Sequence, residues 1–267
     1  MNVEQRAPTD RSEAGYWGRR PRDWAEAQEA TALPLYEEVL ARLAVGAGTR
    51  LLDIGCGSGM ALELAARRGA ELAGIDQSPG LIAIARDRAP RASVALGDMA
   101  SLPFGSREFD VVTGFNAFQY AGDVVAALRE AKRVCREDGR VAIGVWGSPD
   151  ETEARAYLET LASLMPAAAP RATGPFALSA EGALADLATW AGLRPVDGGS
   201  VSCPWDYPDL ETALRGLLSS GGAARAIEHV GEDRVRSAVA EAIAPFRQAS
   251  GRYVMQNRFR FLIATTS

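Results

Sequence analysis

The chain is almost without lysine and histidine. Of its twenty-nine cationic side chains only Lys132 is a lysine, and His229 is the single histidine. Schiff-base chemistry would have to use Lys132, and any Ser-His-Asp arrangement would have to use His229. Lys132 lies in a stretch rich in Arg and Glu and reads as part of a solvated helix face. The three cysteines, Cys56, Cys135 and Cys203, are far apart with no CxxC pair. That argues against a structural zinc site and against a disulfide framework, so no metal is expected. Positive charge is not in excess either. The formal net charge is −5, which leaves no basic face for nucleic acid. No run approaches the roughly 18–20 apolar residues of a membrane span, and the opening MNVEQRAPTDRSEAG lacks the apolar run of a signal peptide. These absences predict a cytoplasmic protein, monomer or homodimer, with neither a membrane nor a nucleic-acid partner.

What is present is a repeating pattern. Residues 23–44 have helical periodicity in Leu35, Val39, Leu40 and Leu43, interrupted at Pro34. RLLDI (50–54) is a short apolar run suited to a buried strand, and a helix over 61–69 follows it, closed by a glycine. ELAGI (71–75) and a helix over 79–89, with Pro79 in its first turn, repeat the unit. Strands over 92–98 and 109–115, a helix over 123–137 ended by Gly139, and a strand over 140–146 complete it. Such alternation predicts an α/β fold with a Rossmann-like, doubly wound, mostly parallel sheet. Beyond residue 150 the expected elements are a helix at 151–164, a Pro/Ala/Gly loop at 166–175, and a helix at 179–191 with Ser179 as N-cap. A weak strand at 194–203, two or three helices within 208–249, and a half-exposed strand at 253–265 follow.

The chemically informative unit is LLDIGCGSGM (51–60), between a strand and a helix. Gly55, Gly57 and Gly59 allow a sharp turn and close approach of a ligand to bare backbone. A ligand of nucleotide type would sit outside the carboxyl ends of the strands. The dinucleotide pattern G-x-G-x-x-G would put its third glycine where Met60 stands, so a nicotinamide-dependent oxidoreductase is the weaker alternative.

DIGCGSG, followed in order by GIDQS, GDMASLPF and FDVVTGFNAFQY, resembles the class I S-adenosylmethionine-dependent methyltransferases. It is closest to their small-molecule subgroup of the methyltransferase-domain-11 type. The resemblance covers roughly residues 50–146 and implies seven strands with the last one antiparallel. It implies S-adenosylmethionine as cofactor and S-adenosylhomocysteine as product. Asp53 and the loop of Gly55, Cys56, Gly57 and Gly59 would then hold the methionine part, with Asp53 toward the ammonium and Cys56 a small space-filler. Asp76 would accept the ribose hydroxyls, with Gln77 beside the adenine where many members carry an apolar residue. Asp98 would meet the adenine amine and the Met99 backbone the ring edge. Phe115 and Asn116 would line the methionine and the transferable methyl. The Pro-Gly-Gly turn common in the family is replaced by Glu137-Asp138-Gly139.

Four regions are expected: a tail and capping helices (1–44), the cofactor-binding core (45–203), a helical lid inserted at 204–250, and a C-terminal strand completing the sheet (251–267). The stretch before the last strand is too long for an unstructured loop, which is why a lid is expected there. Trp17, Trp24, Gln119, Tyr120, Trp205 and Tyr207 are the candidate substrate contacts for a small-molecule acceptor. His229, Tyr16 and Tyr120 are the candidate general bases, although methyl transfer driven by orientation needs none. The run Arg19, Arg20 and Arg22 reads as a solvated entry segment. A non-methylating protein that binds the same cofactor, such as a cyclase or regulatory module, would share every one of these motifs.

Overall fold

The computed structural model describes residues 13–166 and 174–267. The polar tail is expected over 1–14; its residues 1–12 and most of the Pro/Ala loop lie outside the described residues, and Glu13 begins the helix Glu13–Trp17. Seven strands form one sheet: β1 (Arg50–Ile54), β2 (Glu71–Asp76), β3 (Ser93–Leu96), β4 (Phe109–Phe115), β5 (Cys135–Trp146), β6 (Arg194–Ser202) and β9 (Arg258–Thr265). Two short strands between the last pair, β7 (Trp205–Tyr207) and β8 (Tyr253–Met255), form a separate antiparallel ribbon. The sheet order is β3-β2-β1-β4-β5-β9-β6. The pairings from β3 through β5 are parallel, and β9 runs antiparallel to both of its neighbours.

The parallel strands are apolar on both faces because helices cover both. Leu51 and Val111 pack with Leu62, Ala65, Ile82 and Ala85 from the helices Met60–Arg67 and Pro79–Arg88. Leu52, Ile54 and Val112 pack on the opposite face with Ala127, Leu128 and Ala131 from the helix Val124–Val134. Side-chain caps begin two of these helices. Ser78 accepts from the Leu81 N–H ahead of Pro79, and Asp123 accepts from the Ala126 N–H at 2.9 Å, each satisfying a donor left free by the first turn.

Five boundaries differ from expectation. The helix expected at 151–164 is Arg155–Ser163, behind a 3₁₀ turn at Pro149–Glu151. The helix expected across 123–137 stops at Val134, because Cys135 pairs with Phe109 at the start of β5. The register then shifts, and pairing resumes with Arg140 opposite Val111. Asp138 takes the left-handed conformation (φ +56°) inside this bulge. Gly139 serves the bulge and not the helix end, since a Cβ there would come within 2.9 Å of the Asp110 and Arg136 carbonyl oxygens. The helix expected over 179–191 begins only at Ala183 after Gly182 (φ +78°), and the Ser179 hydroxyl donates to the Phe176 carbonyl instead of capping. The strand expected over 253–265 is broken into β8 and β9. The helix expected over 23–44 is four consecutive pieces: Pro21–Asp23, a π-turn Trp24–Gln28, a 3₁₀ turn Glu29–Ala32 and the helix Leu33–Arg42. Pro34, which has no N–H to give a preceding carbonyl, sits in the first turn of the last piece.

Three helices lie between β7 and β8: Leu210–Leu217, Gly221–Val230 and Glu232–Ile243. They do not stand apart from the N-terminal segment. Tyr207 donates to Gln28 Oε1 at 2.6 Å, Arg215 to Asp23 at 2.6 Å, and Arg20 pairs with Glu232 at 2.7 Å. Arg19 pairs with Glu228, and the Trp17 indole lies against Gly221. Tyr157, from the helix Arg155–Ser163, donates to the Leu217 carbonyl at 2.7 Å. The N-terminal pieces and the 205–255 segment thus form one cap above the carboxyl ends of β1 and β4. Among the described residues no helix is long and apolar enough to cross a membrane.

Candidate active site

The site begins where β1 ends. Gly55, Gly57 and Gly59 all have positive φ (+69°, +54° and +86°), a conformation glycine adopts without steric cost. The Gly55 and Cys56 N–H groups reach the Ile75 carbonyl at 2.7 and 3.0 Å, which turns the loop across the end of β2. Asp76, the last residue of β2, braces that turn. Its carboxylate accepts from the Gly57 N–H at 3.0 Å and from the Ser78 N–H at 2.8 Å. Asp98, after β3, accepts from the Ala100 N–H at 2.9 Å. Past β4, Asn116 is held left-handed (φ +51°) while its N–H bonds the Gly144 carbonyl at 2.8 Å.

These residues open onto a cavity of about 550 Å³ between the sheet and the cap, within the ~300–1,000 Å³ range of small-molecule sites. Asp53, Gly55, Cys56, Gly57, Asp76, Gln77, Asp98, Met99, Phe115 and Asn116 all line it. Gly59 does not. It lies beneath the loop, where a Cβ would stand 2.9 Å from the Ala85 Cα. Of the acceptor-side candidates, Trp17, Trp24, Tyr120 and Trp205 line the cavity. Gln119 is fully buried behind it, its amide 3.4 Å from Asn116 Oδ1. Tyr207 is spent on Gln28, Tyr16 lies under the Arg19 guanidinium with 4.8 Å to its ring centre, and His229 is exposed in the last turn of Gly221–Val230. None of those four is a lining residue. Lys132 is accounted for by a hydrogen bond to the Gly192 carbonyl, and Arg19 and Arg20 by their cap carboxylates.

The electrostatics of the cavity are acidic. Asp53 is 2% exposed and accepts from the Thr113 hydroxyl at 2.7 Å. Burial pushes its carboxyl up to about 7, with Glu29 and Asp76 adding to the rise. Burial also raises Asp76, against the pull of the backbone N–H groups of Ser78, Gly57 and Gln77. The Cys56 thiol is pushed well up by burial and by the same carboxylates, which leaves it a poor nucleophile. Among the described residues no group of three or more His, Cys, Asp or Glu is arranged to hold a metal.

Sequence reasoning overlooked part of the wall. Glu29, Gln28 and Tyr36 come from the N-terminal pieces, and Trp146, Tyr157 and Phe259 from β5, the 155–163 helix and β9. Tyr36 meets Phe115 edge to face at 4.8 Å. Trp146 contacts both Trp205 and Phe259, at 5.4 and 4.8 Å between ring centres. The Trp205 indole N–H is buried without a hydrogen-bond partner.

A sheet of this order, with a glycine loop after β1 and an acid at the end of β2, defines the class I methyltransferase type of Rossmann-like fold. Residues 52–143 match the methyltransferase domain family. The chain is 36% identical over 144 residues to the methyltransferase GfsG of Streptomyces halstedii, a match that covers 51% of this chain and 50% of that protein. It is 35% identical over 137 residues to the 27-O-demethylrifamycin SV methyltransferase of Amycolatopsis mediterranei, covering 49% of each. The chain therefore spans about half the length of these curated relatives. Among solved structures, the cyclase SpnF superposes with a TM-score of 0.56 at 21% identity, covering 86% of this chain and 79% of that one, a likeness in fold alone. The domain match and these relatives make residues 52–143 similar to a methyltransferase domain, on a chain with the fold of the class I methyltransferases.

Proposed function

We propose that the protein binds S-adenosylmethionine in this cavity and methylates a small, largely apolar acceptor held under the cap. The observation that carries the reading is the pairing of a buried carboxylate, Asp53, and a half-buried one, Asp76, with bare glycine backbone at the ends of β1 and β2. Asp53 and Asp76 are costly to ionise where they stand, and a cation beside them offsets that cost. The donor set therefore fits a ligand with an ammonium and a sulfonium. Asp76 uses one lone pair of each oxygen on backbone N–H groups, and a carboxylate oxygen has a second to accept a vicinal diol. Asp98 and Met99 would take the adenine, and Phe115 and Asn116 the methionine side.

The cofactor supplies an electrophilic methyl on a positively charged sulfur. Everything else is asked of the chain. The cap excludes water, and the aromatic wall of Tyr36, Trp146, Tyr157 and Trp205 orients the acceptor. The unpartnered Trp205 N–H is a donor that an acceptor oxygen would satisfy. Orienting two bound reactants is worth about 7–11 kcal/mol, which makes a general base dispensable. The relatives' names support a small-molecule acceptor: the Amycolatopsis protein is a 27-O-demethylrifamycin SV methyltransferase, and a Ruegeria pomeroyi relative is a ubiquinone biosynthesis O-methyltransferase.

Incubation with labelled S-adenosylmethionine and a panel of polyketide, quinone and phenolic acceptors tests this. Label transfer to one of them is expected. Tight binding of S-adenosylhomocysteine with no transfer across the panel would favour the non-methylating reading. Binding of NAD in place of the sulfonium cofactor would sink both.

A further inference from the structure

Glu29 is a cavity-lining carboxylate that no cofactor motif contains. It comes from the cap, in the 3₁₀ turn Glu29–Ala32, and yet it is only 4% exposed. Arg88 holds it over the glycine loop, where the Ser58 hydroxyl and the Met60 N–H pull its carboxyl down against the effect of burial. Arg88 in turn bonds the Ala25 carbonyl at 2.7 Å and the Ser58 carbonyl at 3.3 Å, so one guanidinium bolts cap to loop. Glu29 Oε1 faces the bare backbone of Gly57, 3.5 Å from where a Cβ would stand.

The charge balance shows what this carboxylate awaits. Among the described residues, Glu29, Asp53, Asp76, Asp98 and Asp123 line one cavity against a single lining cation, Arg225, and Arg88, outside the lining, pairs with Glu29. Burial raises Glu29, Asp53 and Asp76, and Glu29 adds to the rise at Asp53. A desolvated acidic group of this kind favours a positively charged ligand beside the glycine loop. We propose that Glu29 is a second carboxylate, with Asp53, for the α-ammonium of the cofactor's amino-acid end, so that the cap as well as the sheet reads that group. This rests on the cofactor assignment above and assigns Glu29 a binding role, not a catalytic one.

The test compares two ligands that differ at the amino-acid end. S-adenosylhomocysteine carries the ammonium, and 5′-methylthioadenosine has the same nucleoside without the amino acid. Calorimetric titration of the full chain gives both affinities. In Glu29→Gln the affinity for S-adenosylhomocysteine is expected to fall by about ten- to a hundredfold, and that for 5′-methylthioadenosine by less than about threefold. Because the single substitution strands Arg88, the double variant Glu29→Gln/Arg88→Met is titrated beside it, and the same selective loss is expected. Equal losses for the two ligands in the double variant, or an unchanged affinity for S-adenosylhomocysteine, would overturn the proposal. A wild-type protein that binds neither ligand would instead remove the cofactor assignment beneath it.

Discussion

The two sides of the cavity are built on different principles. On the sheet side, each site residue is placed by its own neighbourhood in the chain. Asp53 is the penultimate residue of β1, Asp76 the last of β2, and Gly55 to Gly59 the turn between strand and helix. On the cap side, each residue is placed by a partner far away: Glu29 by Arg88 at a separation of 59 residues, Gln28 by Tyr207 at 179, and Asp23 by Arg215 at 192. Local geometry constrains residue type tightly, while distant pairing leaves it free to vary. The contrast teaches that the floor of the cavity is specified by local backbone geometry and its roof by side-chain pairings between distant parts of the chain.

The severest way to break that contrast is on the sheet side. Gly55→Val would force a β-branched residue into positive φ and drive its Cβ into the Ala117 methyl. A loss of about 2–5 kcal/mol in stability and of S-adenosylhomocysteine binding altogether is expected, by chemical denaturation and calorimetry.

Asp53→Asn is gentler and has a signature in pH. Wild-type Asp53 keeps its proton up to about 7 when folded and releases it near the ordinary carboxyl value when unfolded. Its contribution to stability is therefore full below about pH 4, declines as pH rises toward 7, and is flat above that. The asparagine variant lacks this decline, so its melting temperature should gain on the wild type from pH 4 to pH 8 in ligand-free protein. Its affinity for S-adenosylhomocysteine should fall by about ten- to a hundredfold. An unaltered affinity would move the ammonium site elsewhere.

The cap side should respond in the opposite sense. Tyr207→Phe strands the buried Gln28 amide and should cost about 1–3 kcal/mol. Cofactor affinity should stay within about threefold, since neither the glycine loop nor Asp76 is touched. Faster proteolysis between residues 205 and 255 would show where the stability went. The smallest effect is expected from His229→Ala. That residue is exposed and outside the cavity, so the rate of methyl transfer should be unchanged within about twofold. A larger loss would restore histidine base catalysis, since no other histidine exists.

The same contrast explains what the sequence made legible. The sheet strands were readable because apolar runs such as RLLDI and FDVVTGF are buried on both faces. The end of the helix at Val134 was not, because the demand of Phe109 for a partner at Cys135 outweighs the helical pattern that continues to Glu137. Glu29 was hidden for a similar reason. In WAEAQEATA it is one acid among several, and nothing local distinguishes it from Glu26, which is exposed. Only the position of Arg88 does. Trp205 was flagged, though its contact with Trp146 depends on β9 lying between β5 and β6.

The ribbon of β7 and β8 has a consequence for how such a protein can change. Trp205 stands opposite Met255 and Tyr207 opposite Tyr253, so the chain leaves the sheet and returns to it through neighbouring rungs. The helices beyond are a detour closed at its base. The sheet registers only the stem, whatever length of chain is threaded above it. Descendants can therefore resize or exchange the roof of the cavity while its floor keeps its register.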